Sequence, residues 1–210
     1  MPKILNERSG AEIKNVIFDF GQVLVRFEPE YMCEKYAATK EDVSLLSEVL
    51  FDRLYWDRLD AGTIEDEELL EEVKKRLPER LHVTAEKIYF NWIYNLPEIT
   101  GMRDVIKLCK SKGYGVYLLS NISKFFANHY KEIPILQLVD GFVFSATAGC
   151  VKPSEQIFEH ITNKFNLTPS QTLFVDDNIT NVKGADKFGI IAYHFDGNAR
   201  SLYSFIEKLA

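Results

Sequence analysis

Cysteine is scarce and scattered in this chain: Cys33, Cys109 and Cys150 are its only three, and no two form a C-x-x-C pair. That excludes a disulfide framework or a cysteine-rich zinc site and predicts reduced thiols in an intracellular setting. Long apolar runs are also missing. No stretch approaches the roughly 18 uncharged apolar residues of a membrane span, so no membrane partner is expected. The opening segment MPKILNERSG has no apolar signal core, and a cytoplasmic location is the expectation. Glycine (11) and proline (7) are too few for a collagen-like or low-complexity chain. Basic residues form no stripe, and 25 Lys and Arg are outnumbered by 31 Asp and Glu, for a net charge of −6. A nucleic-acid partner is therefore not expected. Aromatics, by contrast, are plentiful. With 15 Phe and 10 Tyr in 210 residues, the chain carries more apolar area than a disordered one. It is long enough for one domain with a sizeable insertion.

After a short polar lead comes the run Asn15–Phe20. Four further runs follow much later, at 115–119, 141–144, 172–175 and 189–193. They are short, rich in β-branched or aromatic residues, and bounded by Gly, Asn or Asp. Continuous rather than alternating apolarity predicts strands covered on both faces, as in a parallel sheet. Helical spacing separates them. Met102, Val105, Ile106 and Cys109 follow a candidate cap at Thr100; Ile157, Phe158, Ile161 and Phe165 follow one at Ser154; residues 178–188 run to Gly189. Alternating strands and helices predict an α/β, doubly wound, mainly parallel Rossmann-like sheet. Residues 28–96 break the alternation with helical stripes: Val43, Leu45, Leu46, Val49 and Leu50; Leu69, Leu70, Val73 and Leu77; Ile88, Tyr89, Trp92, Ile93 and Leu96. The expected division is a core of 1–27 and 97–210 with an all-helical cap of 28–96 inserted in it.

The polar residues at the strand ends carry the chemistry. Asp19 ends the first strand, and Asp176 and Asp177 end the fourth of these runs. Ligands in open α/β sheets bind beyond the carboxyl ends of strands, where strand order reverses. Carboxylates gathered there repel one another, and a divalent cation relieves the repulsion. Mg²⁺ takes oxygen ligands, keeps waters and is commonly shared with a phosphate, so the acidic set predicts Mg²⁺ and a phosphorylated substrate. Ser120 and Asn121 end the second strand and offer donors to phosphate oxygens. Lys152, held out of helical geometry by Pro153, offers a charge to neutralise them. Each alone has an ordinary explanation: a turn, a helix cap or a solvated lysine.

Together and in order, Phe18-Asp19-Phe20-Gly21-Gln22-Val23-Leu24, Leu119-Ser120-Asn121, Val151-Lys152-Pro153 and Phe174-Val175-Asp176-Asp177-Asn178 resemble the four motifs of the haloacid dehalogenase superfamily. The resemblance spans nearly the whole chain, including a C1-type helical cap between the first two motifs. It implies that Asp19 is nucleophile and metal ligand, that Gly21 lends the metal a backbone carbonyl, that Asp177 is a metal ligand, and that Asp176 supports the metal directly or through water. It also implies that Ser120 and Asn121 bind phosphoryl oxygens and that Lys152 stabilises their charge. The implied function is Mg²⁺-dependent hydrolysis of a small phosphorylated metabolite through an aspartyl-phosphate.

One position departs from the pattern. Most phosphatases of this superfamily carry a second Asp two residues after the nucleophile, where this chain has Gly21. General acid–base help is worth about 10²–10⁴-fold, so the expectation is either a slow site or one that borrows an acid from the cap or from solvent. Some similar members, including a glucose-1-phosphate phosphatase subgroup, also read Asp-x-Gly there and hydrolyse sugar phosphates. The stretch Tyr55–Thr63 is the expected cap contact, with Trp56, Asp57 and Arg58 as specificity candidates and Asp57 or Asp60 as substitute acid. His82, His129, His160 and His194 match no motif and are taken as structural or surface residues. Two alternatives stay open: a metal-independent 2-haloacid dehalogenase, which lacks the acidic pair, and a weakly active or non-catalytic binding protein, suggested by Gly21. The sequence is equally compatible with a monomer and a homodimer.

Overall fold

The computed structural model describes residues 12–209 together with the two-residue strand β1 (Ile4–Leu5). The rest of the N-terminal lead, with its expected lack of a signal core, lies outside the described residues. The strands β2 (Asn15–Phe18), β3 (Gly115–Ser120), β4 (Gly141–Phe144), β5 (Thr172–Asp176) and β6 (Ile191–His194) correspond to the five apolar runs. They form one six-stranded sheet in the order β1-β6-β5-β2-β3-β4. Every pairing is parallel except β1 with β6. The expected parallel α/β sheet is therefore present, with one strand that the reading of a polar lead did not include. A strand of two residues is too short to show a period, and its partner lies almost at the other end of the chain.

Alternate residues of each strand enter opposite layers. Ile17, Leu119 and Phe174 pack against Ile157, Phe158 and Ile161 of α9 (Glu155–Phe165) and Val182 and Ala185 of α10 (Ile179–Phe188). Val16, Phe18, Leu118 and Val175 pack on the other side with Met102, Val105 and Ile106 of α6 (Met102–Ser111) and Leu202 and Ile206 of α11 (Ala199–Glu207). Burial on both faces explains the unbroken apolar runs. Local capping is less regular than expected. Thr100 does not cap α6: the cap position is Gly101 at φ 93°, which a residue without Cβ adopts readily. Ser154 stands at the cap of α9 but makes no capping bond.

Between β2 and β3 stand α1 (Pro29–Glu34), α2 (Lys40–Leu50), α3 (Arg53–Asp60), α4 (Asp66–Arg76) and α5 (His82–Asn91), while the short α7 (Lys124–His129) follows β3 and α8 (Ser145–Ala148) follows β4. The third predicted stripe is split: α5 ends at Asn91, and Trp92–Tyr94 tighten into a 3₁₀ turn. The two chain crossings into this helical layer run side by side. Arg26 N–H donates to Pro97 O at 2.7 Å and Ile99 N–H to Leu24 O at 2.9 Å. The layer's apolar side chains, among them Leu46, Leu50, Leu69 and Trp92, join the same continuous core as one face of the sheet.

Candidate active site

Strand order places the chemistry. β2 lies between β5 and β3, so Asp19 just beyond β2 is flanked by Asp176 at the end of β5 and Ser120 at the end of β3. The chain builds β3 and β4 on one side of β2 and then crosses to β5 on the other, which opens a crevice at this point. One carboxylate oxygen each from Asp19, Asp176 and Asp177 lies within 4.8 Å of the others.

Lys152 binds this set together. Its Nζ lies 2.7 Å from Asp19 Oδ1 and 2.7 Å from Asp176 Oδ2, and its side chain is 1% exposed. Asp176 is held on its other side by the Asn178 N–H at 2.8 Å and by Asn181 Nδ2 at 3.1 and 3.2 Å. It is fully buried and turned towards these partners rather than into the cavity. Asn121 holds the lysine's backbone: Nδ2 donates to Lys152 O at 3.0 Å, and Oδ1 accepts from Lys152 N–H at 2.8 Å. A side chain read as a phosphate donor is thus largely spent on placing Lys152. Close packing supports the same loop. A Cβ on Gly184 of α10 would lie 2.8 Å from both Pro153 Cβ and Pro153 O.

Electrostatics follow from burial. Desolvation pushes the Asp19 carboxyl up; Lys152 pulls it down and Asp176 pushes it up again. Asp177 is raised by burial and by Asp176. Burial acts to lower Lys152, but the Asp176 and Asp19 carboxylates outweigh it, and the ammonium is held above its usual value. Of the three clustered carboxyls, the Lys152 ammonium pairs with two, those of Asp19 and Asp176. Their all-oxygen donor set and the negative excess fit a small hard dication.

These residues open into a cavity of about 240 Å³. Asp19, Gly21, Ser120, Asn121, Lys152 and Asp177 lie in its wall. Phe27, Trp56 and Trp92 form an apolar side: Trp56 meets Phe27 and Trp92 ring to ring at 5.3 Å, and Trp56 Nε1 is anchored on Leu50 O at 2.7 Å. From α3 the cavity receives Arg53, Trp56 and Asp60, but not Asp57 or Arg58. Arg58 pairs with Glu68 at 3.1 Å, and Asp57 pairs with Arg53. Residues 53, 56 and 60 share one helical face. Arg53, Asn181, Phe27 and Trp92 were not singled out from sequence; only the α3 face carried a readable signal.

The histidines lie outside the cavity wall. His194 does reach the site's framework, donating from Nε2 to Asp177 O at 2.8 Å, and His129 bonds Phe125 O at 2.7 Å. All three cysteines are free, and burial pushes the Cys33 and Cys109 thiols up to about 12. Among the described residues no helix is long and apolar enough to cross a membrane.

Buried carboxylates converging on strand tips beneath a helical insertion set the class: a capped hydrolase built around an aspartate. The chain belongs to the haloacid dehalogenase-like hydrolases, whose sequence pattern matches residues 13–189. It is 24% identical over 197 residues to a D-ribitol-5-phosphate phosphatase of Bacteroides thetaiotaomicron, covering 89% of this chain and 94% of the relative. It is likewise 24% identical over 185 residues to the sesquiterpene phosphatase astK of Aspergillus oryzae, covering 86% of this chain and 89% of that one. Among solved structures, the HAD family enzyme bt-2542 of Bacteroides thetaiotaomicron, crystallised with magnesium and inorganic phosphate, matches the fold with a TM-score of 0.67. It is 23% identical, over 89% of this chain and 96% of that one.

Proposed function

We propose that the protein is a Mg²⁺-dependent phosphatase of a small phosphorylated metabolite, a sugar or polyol phosphate, acting through an aspartyl-phosphate. The observation that carries this reading is the meeting of Asp19, Asp176 and Asp177 within 4.8 Å, with Lys152 bridging two of them. Mg²⁺ would be held by Asp19 and Asp177, with Asp176 in support and the Gly21 carbonyl as a further ligand. When bound it supplies charge neutralisation and orients the phosphoryl group. Asp19 attacks phosphorus and takes the phosphoryl group, dividing one displacement into two. Lys152, fixed by two carboxylates and by Asn121, faces the phosphoryl oxygens with a charge that needs no reorganisation. Ser120 adds a donor, and Asn121 acts chiefly by placing Lys152. Residues 28–96 are the cap, and its Trp56 and Trp92, together with Phe27 just before it, form a wall that excludes water and sets substrate size.

The relatives support this reading. Two curated proteins similar over most of their length carry phosphatase names, one for a polyol phosphate. A cavity of about 240 Å³ suits a small monoester better than a phosphoprotein. The Asp-x-Gly first motif, which resembles that of sugar-phosphate members, supports the same reading. The test is a panel of sugar, polyol and prenyl phosphates assayed with Mg²⁺ and with EDTA. Metal-dependent phosphate release that Asp19→Asn abolishes is expected. Halide release from 2-chloropropionate in EDTA, without phosphatase activity, would overturn the proposal.

A further inference from the structure

The phosphatase reading leaves the leaving group without an acid. Gly21 has no side chain, and the neighbouring Gln22 does not titrate; its Nε2 donates to Phe27 O at 3.0 Å. The carboxyls in the cavity wall are those of Asp19, Asp177 and Asp60. The first two belong to the carboxylate cluster, and Asp60 stands outside it.

Asp60 is an unusual place for an acid. It is the last residue of α3, where the helix dipole disfavours negative charge, and it is only 8% exposed. Among the described residues no hydrogen bond reaches its carboxyl oxygens. Its backbone, in contrast, is bolted to the core. Ser145 Oγ donates to Asp60 O at 2.5 Å and accepts from Ile122 N–H at 2.8 Å, two residues beyond Ser120. Gly62, at φ 69°, lies so close to the segment after β4 that a Cβ there would be 2.7 Å from Ala146 O. The Asp60 backbone is therefore registered to the Ser120 end of β3, although it comes from the inserted helices, and the residue lines the same cavity as Asp19 and Ser120.

Resting on the phosphatase reading, we propose that Asp60 is the catalytic acid and base that replaces the missing aspartate. In the first step an Asp19 oxygen bonds to phosphorus, the bond from phosphorus to the substrate oxygen breaks, and that oxygen leaves with the Asp60 proton as an alcohol. In the second step water bonds to phosphorus, its proton passes to the Asp60 carboxylate, and the bond from phosphorus to Asp19 breaks. Both carboxyls return to their starting states. The groups facing Asp60 suit both roles. Burial raises it to about 7, with Arg53 and Lys152 drawing it down and Asp57 pushing it up. Such a value balances donation against acceptance near neutral pH.

The test compares wild type, Asp60→Asn and Asp19→Asn in Mg²⁺ with p-nitrophenyl phosphate and phenyl phosphate. The first has a leaving group that departs with little help; the second does not. Asp60→Asn is expected to release one equivalent of p-nitrophenolate per site in a burst, then turn over about 10²–10⁴-fold slower than wild type. With phenyl phosphate the burst itself slows, and Asp19→Asn shows neither phase with either ester. Asp60→Asn turnover within threefold of wild type on both esters overturns the assignment. So does loss of the p-nitrophenolate burst in an Asp60→Asn protein with the circular dichroism of wild type, because Asp60 would then serve binding rather than proton transfer. A wild-type enzyme that forms no phosphoenzyme from either ester overturns the phosphatase reading and this assignment with it.

Discussion

Asp19 and Asp60 are both buried acids, but Asp19 has the Lys152 ammonium at 2.7 Å, while among the described residues Asp60 has no hydrogen-bonding partner for its carboxyl. For Asp60 this gives a stability prediction with a definite sign. Its carboxyl titrates near 3.8 in the unfolded chain and at about 7 in the fold. Between those values the folded state keeps a proton that the unfolded chain has released. Its contribution is therefore fully present below about pH 4 and is lost as pH rises through 7. Asp60→Asn should remove that loss. Thermal melts of metal-free protein should show the variant gaining on wild type from pH 4 to 8, by about 1.4 kcal/mol for each pKa unit and on the order of a few kcal/mol in all. Parallel curves would mean the carboxyl is solvated. At Asp19, replacement by Asn should cost about 10⁴-fold or more in kcat, as removal of a nucleophile does elsewhere, with circular dichroism unchanged.

Among the elements, α10 and the loop before α9 meet where a side chain would not fit. Gly184→Ala drives a Cβ to 2.8 Å from the Pro153 carbonyl and ring. Overpacking of this kind costs about 1–3 kcal/mol, and here the atoms that must yield carry Lys152. The expected outcome is a lower melting temperature together with a fall in kcat larger than any change in KM, since the lysine is misplaced for the displaced phosphoryl oxygens. A loss of stability at full kcat would show that the loop relaxes elsewhere. The same scale explains why α3 was hard to place. Arg53, Trp56 and Asp60 recur on one face, while Asp57 and Arg58 point to neighbours on the next. Attention to charge alone singles out Asp57 and Arg58, which lie outside the cavity wall; helical period picks out the face that lines it.

For the molecule as a whole, the strand tips concentrate negative charge that a bound dication would relieve. Saturating MgCl₂ should raise the melting temperature of wild type, because a ligand at 100 times its Kd adds about 2.7 kcal/mol. Asp177→Ala should melt like metal-free wild type but lose most of that increment. If Asp177→Ala keeps the full Mg²⁺ shift, the metal lies elsewhere. The inserted helices belong to this scale too. Their side chains share one continuous core with a face of the sheet, so α3 presents its cavity face as part of the same packed body.

The sequence by itself determined the parallel α/β sheet, the helical insertion and the order of the four polar motifs. Each is a short pattern whose meaning is local: an apolar run buried on both faces, a helical stripe, an acid at a strand end. It did not reveal β1, two residues paired with a strand nearly at the other terminus. Nor did it reveal that Asn121 grips the Lys152 backbone, that Asn181 clamps Asp176, or that Phe27 and Trp92 wall the cavity. Tertiary structure alone decided these, because each depends on which strands lie side by side and which helix face turns inward. Position along the chain fixes the first kind of fact; only packing in space fixes the second.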